Sequence, residues 1–172
     1  GVVRVLHLRD PSRDRELVGH ASWVQGLAWS PGSTRLLSVA SENTAEVRLW
    51  DIERSECTKT VPLVFFASIG PSAKFNADGS QFLVGNFGLP SSIRIFDTGS
   101  GEQTGELQLP ASLGVNGAWF PGSDGNIVVN TIKSPYLIAL DAGDAARRLN
   151  YRGQYRPVVA LARASQGFLA AG

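Results

Sequence analysis

The reactive side chains of this 172-residue chain are few: two histidines, one cysteine, and an arginine- and tyrosine-rich run between residues 147 and 156. His20 follows Gly19, and an imidazole can serve as general base or metal ligand. A metal site needs further ligands at fixed spacing, and no cysteine or carboxylate cluster stands beside His20. The chain has no Gly-x-x-x-x-Gly-Lys phosphate loop, no Gly-x-Ser-x-Gly elbow, no His-Glu-x-x-His and no Cys-x-x-Cys. Serines, histidines and aspartates are present, but their spacing implies no triad. Cys57 precedes Thr58-Lys59-Thr60, and nothing beside it suggests a reactive role. The expectation is a protein without catalytic residues, metal or cofactor.

Arg147, Arg148, Tyr151, Arg152, Tyr155 and Arg156 form the densest cationic and aromatic run. Guanidinium groups beside tyrosine rings suit phosphates with stacked bases, or an acidic peptide motif. They equally suit a solvated outer strand and loop whose arginine stems cover apolar surface. The net charge of +1 supplies no matching field, so the surface-strand reading leads. Nucleic-acid or acidic-motif binding through 147–156 is the alternative.

These residues need a frame, and composition narrows it. Hydrophobic residues make up 43% and charged residues 18%, with 19 glycines and 9 prolines. Low charge with many turn formers suits an all-β fold of short strands. No apolar run approaches the roughly 18 residues of a spanning helix. The single cysteine excludes an internal disulfide and, with no permitted Asn-x-Ser/Thr acceptor, points to an intracellular compartment, cytoplasmic or nuclear. Gly1-Val2-Val3 at the start and the absence of methionine suggest a piece of a longer protein.

A repeat organises the chain. Ala28-Trp29-Ser30-Pro31-Gly32-Ser33 recurs 90 residues later as Ala118-Trp119-Phe120-Pro121-Gly122-Ser123, with Lys74-Phe75-Asn76-Ala77-Asp78-Gly79 between them. An alternating strand reads Val47-Arg48-Leu49-Trp50-Asp51, then Ile93-Arg94-Ile95-Phe96-Asp97, then Leu137-Ile138-Ala139-Leu140-Asp141. A degenerate copy, Val3-Arg4-Val5-Leu6-His7, opens the series, and the copies end at 7, 51, 97 and 141, spaced by 44, 46 and 44. Period-two alternation marks strands, and Ser-Pro-Gly and Asp-Gly mark turns between them. No stretch of 12 residues carries helical spacing; Asp144 to Arg148 could form one helical turn but fits the last strand of its repeat better. Four short strands per ~45 residues bury both faces only when stacked radially.

With Gly19-His20, the Ser-Pro-Gly turn and Trp50-Asp51 in one repeat, the sequence resembles the WD-repeat family. The resemblance implies a β-propeller of four-stranded antiparallel blades, here three complete blades and two half-blades: half-blade 1–18, blades 19–62, 63–108 and 109–150, and half-blade 151–172. Strands are expected at Val2 to Leu8, Glu16 to Val18, Val158 to Arg163 and Phe168 to Ala171. The half-blades either close a four-bladed ring or are cut ends of a larger one. The family's usual seven blades favour the second. The later repeats lack Gly-His and soften Trp-Asp to Phe-Asp and Leu-Asp.

The resemblance also implies a buried network of His20, Ser38, Glu42 (Asn43 if the register slips by one) and Trp50. A buried imidazole needs partners for both nitrogens, and tryptophan brings an N–H with a large apolar face. Partner binding is implied on the narrow face, at the start of each first strand and in the turn between second and third strands. The positions are Trp23, Gln25, Glu42 and Ser41; Ile69, Pro71, Asn86 and Phe87; and Leu113, Val115 and Thr131. Arg152 and Tyr155 join them from the cationic run. Trp23 is the strongest candidate, because exposed tryptophans anchor interfaces, although it could instead pack on a neighbouring blade's loop. Phe65-Phe66 could form an exposed apolar loop or lie between blades. The function expected is a non-catalytic scaffold within a multiprotein complex, with proteins or peptide motifs as partners, no small-molecule substrate and no membrane.

Overall fold

A computed structural model describes residues 1–41, 45–63, 72–86, 91–109, 115–120, 127–131, 137–140, 146–149, 160–164 and 167–171. Strands β1 (Val2–Val5) and β2 (Arg15–Val18) pair as an antiparallel ladder. The strands β3 (Val24–Trp29), β4 (Arg35–Ala40), β5 (Glu46–Asp51) and β6 (Glu56–Pro62) form a four-stranded meander. The next is built from β7 (Ser72–Phe75), β8 (Gln81–Asn86), β9 (Ser91–Asp97) and β10 (Gln103–Leu109). A third contains β11 (Val115–Trp119), β12 (Ile127–Thr131), β13 (Leu137–Leu140) and β14 (Ala146–Leu149). A last hairpin pairs β15 (Ala160–Ala164) with β16 (Gly167–Ala171). The architecture is a partial β-propeller. Among the described residues no ladder joins the first and last hairpins into one sheet.

Packing between sheets runs through their first strands. β7 lies against β3 and β4, and β11 against β7 and β8. Strands β6 and β10 are mostly exposed and form the outer edges. Because successive side chains point to opposite faces, each sheet feeds two cores. Leu37, Val39, Val47 and Leu49 meet Phe82, Val84 and Phe96 of the next sheet in one core. Leu83, Ile93 and Ile95 point the other way, to Ala118, Ile127 and Val129. Leu36 and Trp50 face back to Val3 and Leu17 of the first hairpin. Burial on both faces explains why Phe82-Leu83-Val84 is apolar without alternation. Each such side chain contributes about 1.5–3 kcal/mol.

Turn chemistry repeats with the sheets. Ser30 N–H donates to Arg35 O at 3.0 Å, and Asn76 N–H to Gln81 O at 2.9 Å, 46 residues later. Ile52 N–H donates to Thr34 O, and Thr98 N–H to Ser80 O, at the same offset. Arg54 N–H reaches Asp51 Oδ1 at 3.0 Å, and Ser100 N–H reaches Asp97 Oδ1 at 2.7 Å. Gly101 adopts φ +76°, and a Cβ there would overlap Lys59, whose Nζ donates to Gly99 O at 2.5 Å. That contact ties the outer edge of one sheet to the turn of the next.

The first strand is shorter than its apolar run. β1 stops at Val5, and Leu8 is 98% exposed. The expected strand from Val2 to Leu8 is cut short by a turn in which Asp10 N–H donates to His7 O at 3.2 Å. A 3-10 turn, Pro11–Arg13, follows, capped by Asp10, which accepts the Ser12 N–H at 3.1 Å. Proline with a preceding aspartate starts such a turn more readily than it continues a strand.

Candidate functional site

Gly19 brings the chain so close to β5 that a Cβ would overlap the Arg48 guanidinium and lie 3.4 Å from Trp50 Cη2. This approach delivers His20 into the sheet, where it is only 5% exposed. Its Nε2 lies 2.5 Å from Ser38 Oγ on β4, and its Nδ1 lies 2.7 Å from Glu46 Oε1 on β5. Trp50 Nε1–H donates to the same Ser38 Oγ at 2.7 Å. One assignment satisfies every group: Nδ1–H donates to Glu46, Ser38 O–H donates to Nε2, and Ser38 accepts the indole N–H. Arg48 Nε–H also donates to Glu46 Oε1 at 2.8 Å, and its Cζ stands 5.9 Å from the Trp50 ring centroid. His20 and Trp50 meet edge to face with centroids 6.2 Å apart.

Burial lowers the His20 pKa below its ordinary 6.5, against the hydrogen bond and charge of Glu46, which pull it up; Arg48 adds to the depression. The imidazole is therefore neutral at neutral pH, as the assignment requires.

Ser38, His20 and Glu46 thus stand in the order of a serine–histidine–carboxylate relay, although their sequence spacing implied no triad. The arrangement cannot act on a substrate. Ser38 is fully buried, and its oxygen is already engaged by Trp50. A nucleophile must be reachable by a reacting carbonyl. The relay ties the segment ahead of β3 to β4 and β5 of one blade.

The acceptor for His20 Nδ1 in this network is the Glu46 carboxylate, on the strand, whereas the resemblance implied Glu42, or Asn43 with a one-residue slip, in the turn. Glu42 and Asn43 lie outside the described residues, and both ring nitrogens are satisfied without them. Glu46 and Arg48 were missed, yet the period of two puts Glu46, Arg48 and Trp50 on one face of β5.

Trp23, just before β3, is 72% exposed. Gln25 follows at a register shift between Val24 and Gly26, where β3 carries one residue more than β4 opposes. Such a bulge re-aims the side chain. Gln25 Oε1 accepts from Ser41 Oγ at 2.8 Å. Asn86 is only 6% exposed, so it presents little to a partner. Ile69, Pro71, Phe87, Leu113, Arg152 and Tyr155 lie outside the described residues, as do Phe65, Phe66, Tyr151 and Arg156. Val115 and Thr131 lie on β11 and β12, and Arg147 and Arg148 on β14; their side chains fall outside what is described. Cys57 is exposed on β6. Among the described residues, no three His, Cys, Asp or Glu side chains group as metal ligands, and no helix is long and apolar enough to cross a membrane.

No protein-family model matches the chain. Individual relatives do. It is 34% identical over 80 residues to THO complex subunit 3 of Arabidopsis thaliana, covering 46% of this chain and 24% of that protein. It is 34% identical over 88 residues to an uncharacterized WD repeat-containing protein of Synechocystis, covering 50% of this chain and 24% of that protein. These relatives support a WD-repeat family for the chain. Over 46 residues the identity reaches 44% with nuclear distribution protein nudF 2 of Penicillium rubens, covering 26% of this chain and 10% of that protein. The chain spans about a quarter or less of the length of these curated relatives.

The WD blades differ inside. By register, Leu36 pairs with Trp50, and Phe82 with Phe96. Val84 takes the place of Ser38, and Phe82 and Phe96 stack with centroids 5.1 Å apart. In the third blade Asn130 holds the register position of Ser38, opposite Gly117 as Ser38 is opposite Leu27. The hydrogen-bonded interior of the first blade is replaced by an aromatic one in the second.

Proposed function

We propose that this WD-repeat chain is a non-catalytic scaffold that holds proteins together in a multiprotein complex, binding them on the face that carries Trp23. The observation that carries the reading is the indole of Trp23, 72% exposed immediately before β3. A rigid aromatic anchor loses little conformational freedom on binding, and tryptophan is enriched among the residues that dominate interface energies. Beneath it, the network of His20, Ser38 and Trp50 fixes the blade that presents it. Gln25 is exposed beside it and oriented by Ser41. The name THO complex subunit 3 supports membership of an assembly. His20, the one buried imidazole among the described residues, is committed to structure, which supports the absence of catalysis. An intracellular place, cytoplasmic or nuclear, goes with this role.

The test is capture from a cell extract by immobilised chain 1–172, in parallel with Trp23→Ala and, as a control at an exposed apolar residue outside that face, Leu8→Ala. The reading expects proteins retained by the parent and by Leu8→Ala but lost with Trp23→Ala. Retention that ignores Trp23 contradicts it.

A further inference from the structure

The far end of the inner strands carries a different surface. Trp29, Phe75 and Trp119 end β3, β7 and β11, at the same place in three successive repeats. Together with Lys74 and Asn76 they line a cleft of about 310 Å³. Trp29 is 47% exposed. β3 is six residues long, so this cleft and Trp23 are separated by about 20 Å of strand.

Lys74 distinguishes the cleft. It pairs with Leu83 as Ala28 pairs with Leu37 and Ala118 with Val129, so it stands where both neighbouring blades have alanine. Among the described residues it makes no hydrogen bond, ion pair or cation–π contact. Among the described residues no carboxylate lines the cleft. The Asn76 amide is already committed, with Oδ1 accepting from Gln81 N–H at 3.0 Å and Nδ2–H donating to Ser80 Oγ at 3.1 Å. What faces an incoming group among the described residues is Lys74, itself half-buried, framed by two indoles and a phenyl ring.

We infer that this cleft docks a linear segment of a partner protein in which an aspartate or glutamate adjoins a large apolar residue. The carboxylate meets Lys74, and the apolar neighbour lies between Trp29 and Trp119. Charge complementarity selects the anion, because the ammonium repels a cation that the aromatic faces would otherwise attract. The volume admits a few side chains. A nucleic acid is disfavoured: strand binding relies on several cations tracking successive phosphates, and the described lining of this cleft offers one. The surface is separate from the Trp23 face, so either can fail without the other.

The experiment pans a phage-displayed library of random dodecapeptides against chain 1–172, then measures the most enriched peptide by calorimetry. Enrichment of acidic–apolar pairs is expected. Lys74→Ala, which installs the residue of the flanking blades, should weaken binding at least tenfold, and Lys74→Glu should abolish it. Trp119→Ala should weaken it similarly, while Trp23→Ala leaves it unchanged. The inference is overturned if enriched peptides lack acidic residues, if none is enriched, if Lys74→Glu binds as well as the parent, or if a single-stranded oligonucleotide displaces the peptide from Lys74.

Discussion

Phe96 stands where Trp50 stands one repeat earlier, and the exchange changes what holds a blade together. Trp50 donates to Ser38 Oγ at 2.7 Å, whereas Phe96 stacks on Phe82 beside Val84. Both solutions are self-consistent. A buried hydroxyl requires the histidine and the indole to satisfy it, and Val84, which replaces it, brings no hydroxyl that needs a partner. Half of either set would be worse than neither.

Ser38→Ala follows from this dependence. It leaves the Trp50 N–H and His20 Nε2 buried without partners, at about 1–3 kcal/mol for each group. The expected loss is about 2–4 kcal/mol, read as a lower urea midpoint with an unchanged slope. A loss under half a kcal/mol, of the order of an ordinary surface substitution, would show that the network contributes little.

The His20 pKa gives stability a pH dependence of known sign. Burial holds the folded-state value below the 6.5 of the unfolded chain, so the unfolded state binds the extra proton more readily. His20's contribution is complete above about pH 6.5 and declines as pH falls through the lowered folded value. The urea midpoint should therefore drop between pH 7.5 and pH 5, and His20→Gln should flatten that difference. An equal drop in His20→Gln would assign the effect to other groups.

Much of the architecture was legible in the sequence because the repeat is written in turn residues and alternation. Ser30 and Asn76 close equivalent hairpins, and Asp51 and Asp97 accept equivalent backbone bonds. The network was legible in part. Glu46 escaped because the family pattern places the acid in a turn, whereas here it shares a strand face with Arg48 and Trp50. The bulge at Gln25 had no signal, since a one-residue register shift depends on how β4 pairs with β3. Asn86 is buried, which a polar side chain near a strand end does not reveal in sequence.

Gly19→Ala tests the close approach that seats the histidine. A Cβ would overlap the Arg48 guanidinium and crowd Trp50, so Arg48 must swing away from Glu46. A destabilisation of about 1–3 kcal/mol is expected. Gly32→Ala is the control, because its Cβ would meet only Thr34 Oγ1, at 4.0 Å, and should be near neutral. Equal effects at both positions would place the cause in the unfolded chain.

The scaffold role is tested most directly by the affinity of a captured partner for Trp23→Ala, measured by calorimetry with the urea midpoint measured alongside. An exposed anchor predicts at least a tenfold loss of affinity, with a midpoint within the small range typical of surface substitutions. Undiminished affinity in a folded Trp23→Ala protein would contradict binding through that face.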